Sequence, residues 1–466
     1  MTKTEPISSQ DRPRLLRQIL LFVLPLIATS VLQLLFNTAD SIVVGQWGGD
    51  TPEECEAALA AVGSCGSLIN LIVNLFMGLS IGAGVLVARG VGARDERSVD
   101  ETVHTSVLLS LVLGIVVAVI GFTFSGTFLV WMGTTAAALE QATLYMKAYF
   151  LGIPAAMIYN YCAAMLRATG DTVHPLAFLT AGGVLNVGFN LLAVLVLRLG
   201  AMGVGLATAA SNWLACILVV VFMLRKKGLC HLDVRRLRLH TDILKKVLYI
   251  GIPAGVQSSL FSISNVLIQS SINSFQSTAI VAGNTAGSNI EGYIYATQNA
   301  FAQAALTYVS QYMGAKRPDL AHRAAMLCTV CVTVAGLAVC GVAVLFGHTL
   351  LGLFNPGNEA AIEVGMTKMS ITTVTHFLCG LMEVGCNSLR GLGKSVQPTV
   401  VALIGACGLR ILWIYTAFAW FPTLEVLYMS YPVTWAVTAL TQYTFYSLRI
   451  RKVKRVFAEK GDVLLS

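Results

Sequence analysis

Three carboxylates and a few carboxamides stand in stretches of this chain that otherwise avoid water. Asp40 lies inside a long apolar run, and Gln33, Asn37 and Asp40 follow at spacings of four and three, which sets them on one stripe of a helix. Such a stripe offers a cation several oxygens, a sodium ion at Asp40 included. It can equally hold a carboxylate that takes up a proton as its access to solvent changes. Asn186 and Asn190, one helical turn apart, can complete the oxygen shell of an ion or hydrogen-bond to Asp40. Amides that pack helices by hydrogen bonding are the competing reading, and the better one for Gln33. Glu291 and Glu383 add two acids in the second half, and a cavity edged by uncompensated carboxylates attracts cations. Asp40, Asn37, Asn186 and Asn190 are therefore the candidate cation or proton site. Gln33, Glu291 and Glu383 are candidates for lining a substrate cleft.

Other chemistry finds little support. Gly393, Lys394 and Ser395 lack the upstream glycine of a phosphate-binding loop, since position 388 is serine. Cys328 and Cys331 have metal-site spacing but lie in an apolar run. Of the 11 cysteines only Cys55 and Cys230 fall outside such runs, so neither a disulfide scaffold nor a metal centre is expected. No catalytic constellation is visible, and no cofactor is implied.

The elements that must position these residues follow from composition. Of 466 residues, 56% are hydrophobic and 12% charged, too few charges to cover a water-soluble surface. That excludes secreted enzymes and nucleic-acid binders. Apolar runs near 15–47, 57–88, 103–130, 142–167, 173–197, 202–224, 243–274, 280–313, 323–350, 361–390, 396–420 and 425–448 are each long enough to cross a bilayer as a helix. The expected fold is all-α and polytopic, with twelve transmembrane helices. Nearly all of the 31 Lys and Arg lie in the tails and alternate loops, the exceptions being Lys147, Arg198, Lys368 and Arg410. The first loop instead carries Asp50, Glu53, Glu54 and Glu56. This asymmetry puts both termini in the cytoplasm under the positive-inside rule. Residues 225–242 then form a basic cytoplasmic linker, with cytoplasmic tails at 1–14 and 449–466.

The chain repeats itself. Leu166-Arg167-Ala168-Thr169-Gly170 matches Leu389-Arg390-Gly391-Leu392-Gly393, and Gly92-Ala93-Arg94 matches Gly314-Ala315-Lys316. Pro25 and Asn37 similarly pair with Pro253 and Asn265. Arg167 and Arg390 read as cations at helix C-termini, where the helix dipole favours them. Six spans per repeat, 15–224 and 243–448, give two lobes facing the same way, related by a pseudo-two-fold axis along the membrane normal. Two bundles rocking about a cleft are transporter architecture.

At this point the chain resembles the multidrug and toxic compound extrusion (MATE) family. The resemblance rests on Leu32–Gly49, on GVGAR at 90–94 with MGAKR at 313–317, and on the paired LRATGD and LRGLGK segments. It implies export of organic cations in exchange for protons or sodium ions, with Asp40 and Asn186 matching the family's first-helix aspartate and fifth-helix asparagine. Asn190 departs from the pattern, which often has an acid there, and Glu383 resembles a tenth-helix acid of many relatives. The expectation is a monomeric antiporter of the bacterial plasma (inner) membrane, surrounded by lipid and working without nucleic acid. The alternative is a flippase or exporter of lipid-linked or other non-cationic metabolites. Anionic headgroups would demand deep arginines, and the sequence offers Arg198 and Arg410.

Overall fold

The computed structural model describes residues 12–49, 51–134 and 136–465. Asp50 and most of the N-terminal tail lie outside the described residues, as do the side chains of Glu53, Glu54 and Glu56. The first repeat consists of α1 (Arg12–Trp47), α2 (Pro52–Ala93), α3 (Glu96–Trp131), α4 (Ala136–Ala168), α5 (Val173–Leu191) and α6 (Gly200–Arg225). A π turn, Leu192–Val196, extends α5. The second repeat continues with α7 (Thr241–Asn273), α8 (Thr278–Gly314), α9 (Pro318–Leu345), α10 (Gly347–Phe354), α11 (Glu359–Lys368), α12 (Phe377–Gly391), α13 (Val396–Ala402), α14 (Leu409–Trp413) and α15 (Leu424–Leu465).

Nine helices among the described residues are long and apolar enough to cross a membrane. The pair running from α11 through a π turn (Met369–Thr373) into α12, bent by 42°, makes a tenth. Helices α8 and α15 complete the twelve. They are less apolar because α8 carries Asn284, Ser288, Glu291 and Gln298 and the spanning part of α15 carries Ser430, Pro432, Thr434, Thr438 and Gln442. Two expected boundaries differ. The ninth run is split at Phe346 into α9 and the short α10, and α15 does not stop at Leu448, since good helix formers follow it with no Gly or Pro before Gly461.

The repeat is visible in backbone geometry as well as in letters. After α4, Gly170 takes φ +93°, Gly170 N donates to Arg167 O at 2.9 Å, and Asp171 N donates to Leu166 O at 3.1 Å. After α12, Gly393 takes φ +83°, with Gly393 N donating to Arg390 O at 2.8 Å and Lys394 N to Leu389 O at 3.1 Å. Both are left-handed glycine caps that satisfy the last carbonyls of a helix, a conformation in which a Cβ is costly. Arg94 (φ 56°) and Lys316 (φ 58°) likewise end α2 and α8.

The described chain packs as two compact units. One holds the residues through Ile27, Gly92–Arg94 and everything from Val256 on; the other holds Ala28–Val91 and Asp95–Gly255. Each unit thus takes the first part of a helix from the opposite repeat. In the first, Leu15, Ile19, Phe22, Val23 and Leu26 pack on the small residues Ala300, Ala302, Ala304 and Ala305, and Phe22 meets Tyr308 edge-on at 5.5 Å. In the second, α2 and α7 touch backbone to backbone at Gly78 and Gly255, where a side chain on either would collide. Small residues let helices approach closely where lipid supplies no hydrophobic drive between them.

Candidate functional site

In the unit holding most of the first repeat, glycines bring α5 against its neighbours. Gly183 faces the Phe36 ring of α1 so closely that any Cβ would strike it, and Gly182 lies against Ser211 of α6. Beyond that contact Asn190 Nδ2 donates to Asp40 Oδ1. The same nitrogen lies 3.2 Å from Asn186 Oδ1, and Asn186 Nδ2 donates to Thr208 Oγ1 of α6 at 3.4 Å. Thr208 in turn donates to Val204 O at 3.0 Å. Asn186 and Asn190 are buried, Asp40 is half-buried, and Tyr149 of α4 lies within electrostatic reach of the carboxylate. Asn190 Oδ1 is buried, and among the described residues no hydrogen-bond donor reaches it. An acceptor in that condition costs free energy unless a cation or proton donor meets it.

The structure thus joins Asp40, Asn186 and Asn190. Asn37 and Gln33 share the stripe but are exposed, and neither joins the chain of hydrogen bonds. The same unit contains a small crevice with about 20 Å³ of internal space, little more than one water molecule fills, lined mainly by apolar side chains, Phe76, Met77 and Met157 among them, with Asn160 and Tyr161.

The unit holding most of the second repeat carries its own charged network. Lys368 Nζ lies 3.3 Å from Glu291 Oε2, donates to Ser288 Oγ, and reaches Asn284 O at 3.3 Å. Thr372 and Thr373, from the π turn, donate to Glu291 Oε1. A π turn widens the helix locally and so aims two successive hydroxyls at one carboxylate. Glu291 is therefore not the uncompensated acid that the sequence suggested: its charge is matched by a buried lysine. Glu383 is also buried, seven residues before Arg390 on α12. Arg390, read from the sequence as a helix-end cation, points inward instead. It is buried and donates to Gln257 Oε1 at 2.8 Å and Asn387 Oδ1 at 3.4 Å. Arg198, expected deep, is exposed in the turn before α6 at φ 51°. Among the described residues, Lys368, Arg390 and Arg410 are the buried Lys and Arg side chains.

Residues 25–192 and 253–416 match the family model described as MatE. This chain belongs to the MATE family of multidrug efflux transporters. Among curated relatives, the probable multidrug resistance protein YoeA of Bacillus subtilis is 26% identical over 464 residues, covering 97% of this chain and 98% of the relative. The multidrug export protein MepA of Staphylococcus saprophyticus is 21% identical over 86% of this chain and 87% of its own length. A crystal structure of a MATE protein in complex with MaL6 superposes with a TM-score of 0.87 at 21% identity, covering 95% of this chain and 97% of that one. An outward-facing multidrug resistance MATE transporter of the MOP superfamily gives 0.86 at 21% identity, covering 96% and 100%. The fold is that of these MATE structures: twelve helices in two lobes, a multi-pass membrane transporter and not an enzyme.

Sequence reasoning missed two participants. Thr208 lies in a helix rich in Ala and Gly, and only the packing of α6 on α5 links it to Asn186. Lys368 left a usable signal, because a lysine inside an apolar span needs an acidic or carbonyl partner and Glu291 was available.

Proposed function

We propose that this MATE protein is a secondary active antiporter that exports organic cations from the cytoplasm and takes in protons or sodium ions at Asp40. The observation that carries the reading is the Asp40–Asn190–Asn186–Thr208 chain of hydrogen bonds within membrane-spanning helices, with Asn190 Oδ1 left without a donor. A carboxylate in such a position is costly to keep charged and uncompensated, so an incoming proton or sodium ion binds there with gain. Coupling requires that ion and substrate favour different conformations, since a ligand shifts an equilibrium only by its differential affinity. In this reading the protein works as a monomer in the bacterial plasma membrane, with both termini and the linker 225–242 in the cytoplasm.

The test is uptake of a fluorescent organic cation into proteoliposomes under an imposed pH gradient or an imposed sodium gradient, with Asp40→Asn alongside. One gradient should drive uptake, which names the ion, and the variant should fold yet lose that uptake. Normal gradient-driven flux through Asp40→Asn would remove Asp40 from the mechanism. A second reading, export of lipid-linked or other non-cationic metabolites, is favoured by the buried arginines Arg390 and Arg410. Correctly inserted protein that moves no cation under either gradient would select it.

A further inference from the structure

The two repeats differ most at the place where the first one keeps its acid. The paired LRATGD and LRGLGK turns align α5 with the span that contains α13 and α14, so Arg410 falls beside the places of Asn186 and Asn190. Pro25 and Asn37 of α1 align in the same way with Pro253 and Asn265 of α7. Where the first repeat sets a carboxylate on α1 against amides on α5, the second sets a guanidinium on α14 against an amide on α7. Arg410 Nη1 lies 3.4 Å from both Asn265 Oδ1 and Ser264 Oγ, and its guanidinium carbon sits 4.3 Å above the Tyr431 ring.

This cation is short of acceptors, and its Nε shares that condition with Arg390 Nε. Arg410 is 5% exposed, lies inside a membrane-spanning segment, and its Nε is buried without a partner. Among the described residues no ion pair joins it to a carboxylate; its contacts are two neutral oxygens at the long end of hydrogen bonding and an aromatic face. Lys368, by contrast, is matched by Glu291. Burying a guanidinium on such terms costs several kcal/mol unless an anion repays it. Helix tying explains the contacts to Ser264, Asn265 and Tyr431 but not an Nε aimed at nothing. Asn265 is exposed, so the guanidinium lies one residue beneath the surface of this unit.

We propose that Arg410, with Asn265 and Tyr431, forms a subsite for the carboxylate group of transported small molecules. The planar guanidinium fork matches a carboxylate in two parallel hydrogen bonds, and the Tyr431 ring, stacked against the guanidinium, holds the fork in place. The inference rests on the transporter reading above and deepens it: the substrate class extends from organic cations to zwitterions and organic acids.

The probe is benzoate, with the neutral isostere benzamide as control, measured by thermal stabilisation of the purified full chain. Benzoate should stabilise the natural protein and benzamide should not. Arg410→Gln should weaken the apparent benzoate affinity by at least about tenfold, the loss of a charge-assisted bond, and Arg410→Lys should restore part of it. Asn265→Asp places a carboxylate within reach of Arg410 and should compete benzoate out while raising the melting midpoint; it keeps the test open should Arg410→Gln fail to fold. Equal stabilisation by benzoate and benzamide, or unchanged benzoate affinity in Arg410→Gln or in Asn265→Asp, would overturn the proposal. The two readings fail separately: normal cation flux through Asp40→Asn leaves the benzoate result standing, and a lost benzoate effect leaves gradient-driven cation flux standing.

Discussion

Replacing Lys368 by methionine keeps most of its volume and removes its charge, leaving Glu291 with the Thr372 and Thr373 hydroxyls alone. The two side chains are 3% and 14% exposed and 3.3 Å apart, so bulk water screens the pair little. At that separation their attraction is about 5 kcal/mol for an effective dielectric of about 20. Breaking such a pair from one side typically costs about 3–5 kcal/mol, because the remaining charge stays buried. Glu291→Leu should cost a similar amount, since Lys368 keeps only Ser288 and the Asn284 carbonyl. The double variant Lys368→Met/Glu291→Leu removes both charges together and should lose much less than the two single losses combined, by about 2 kcal/mol or more of coupling. The assay is the thermal or denaturant midpoint of purified protein in detergent, read for the natural chain, both single variants and the double. A double variant as unstable as the two single losses added together would show that the lysine does not neutralise Glu291, and Glu291 would return as a free acid for cation attraction.

Thr208→Val removes the acceptor of Asn186 Nδ2 without changing volume, a cost of about 1 kcal/mol. It should raise the ion concentration needed for half-maximal export several-fold while the protein still folds, and an unchanged ion dependence would remove Thr208 from the site. Burial pushes the Cys230 thiol, in the linker after α6, up to about 12, against Lys226, which pulls it down. Its thiolate should therefore be about a thousandfold scarcer at pH 8 than that of an ordinary cysteine. Maleimide should label Cys230 only after unfolding, as read by peptide mapping. Because the folded thiol holds its proton more tightly, this group adds stability below its ordinary value of 9.0, and that stability declines as pH rises towards about 12.

The sequence by itself determined that the chain crosses a membrane repeatedly, because uninterrupted apolar runs have no other stable fate in water. It also determined the internal repeat, since Gly170 and Gly393 each mark a helix end that needs a left-handed residue, and it marked Asp40 with Asn186 and Asn190, because acids and amides in such runs stand out singly. The state of each charge was decided only by tertiary structure. Lys368, Arg390 and Arg410 lie far in sequence from Glu291, Gln257 and Asn265, and no local spacing rule reaches across that separation. Glu291 read as an open acid until α11 set Lys368 against it, and Arg390 read as a helix cap until α7 offered it Gln257. Local pattern fixes which side chains enter the membrane, because burial follows from periodicity. Which of them are neutralised follows from distances between helices, and packing alone sets those.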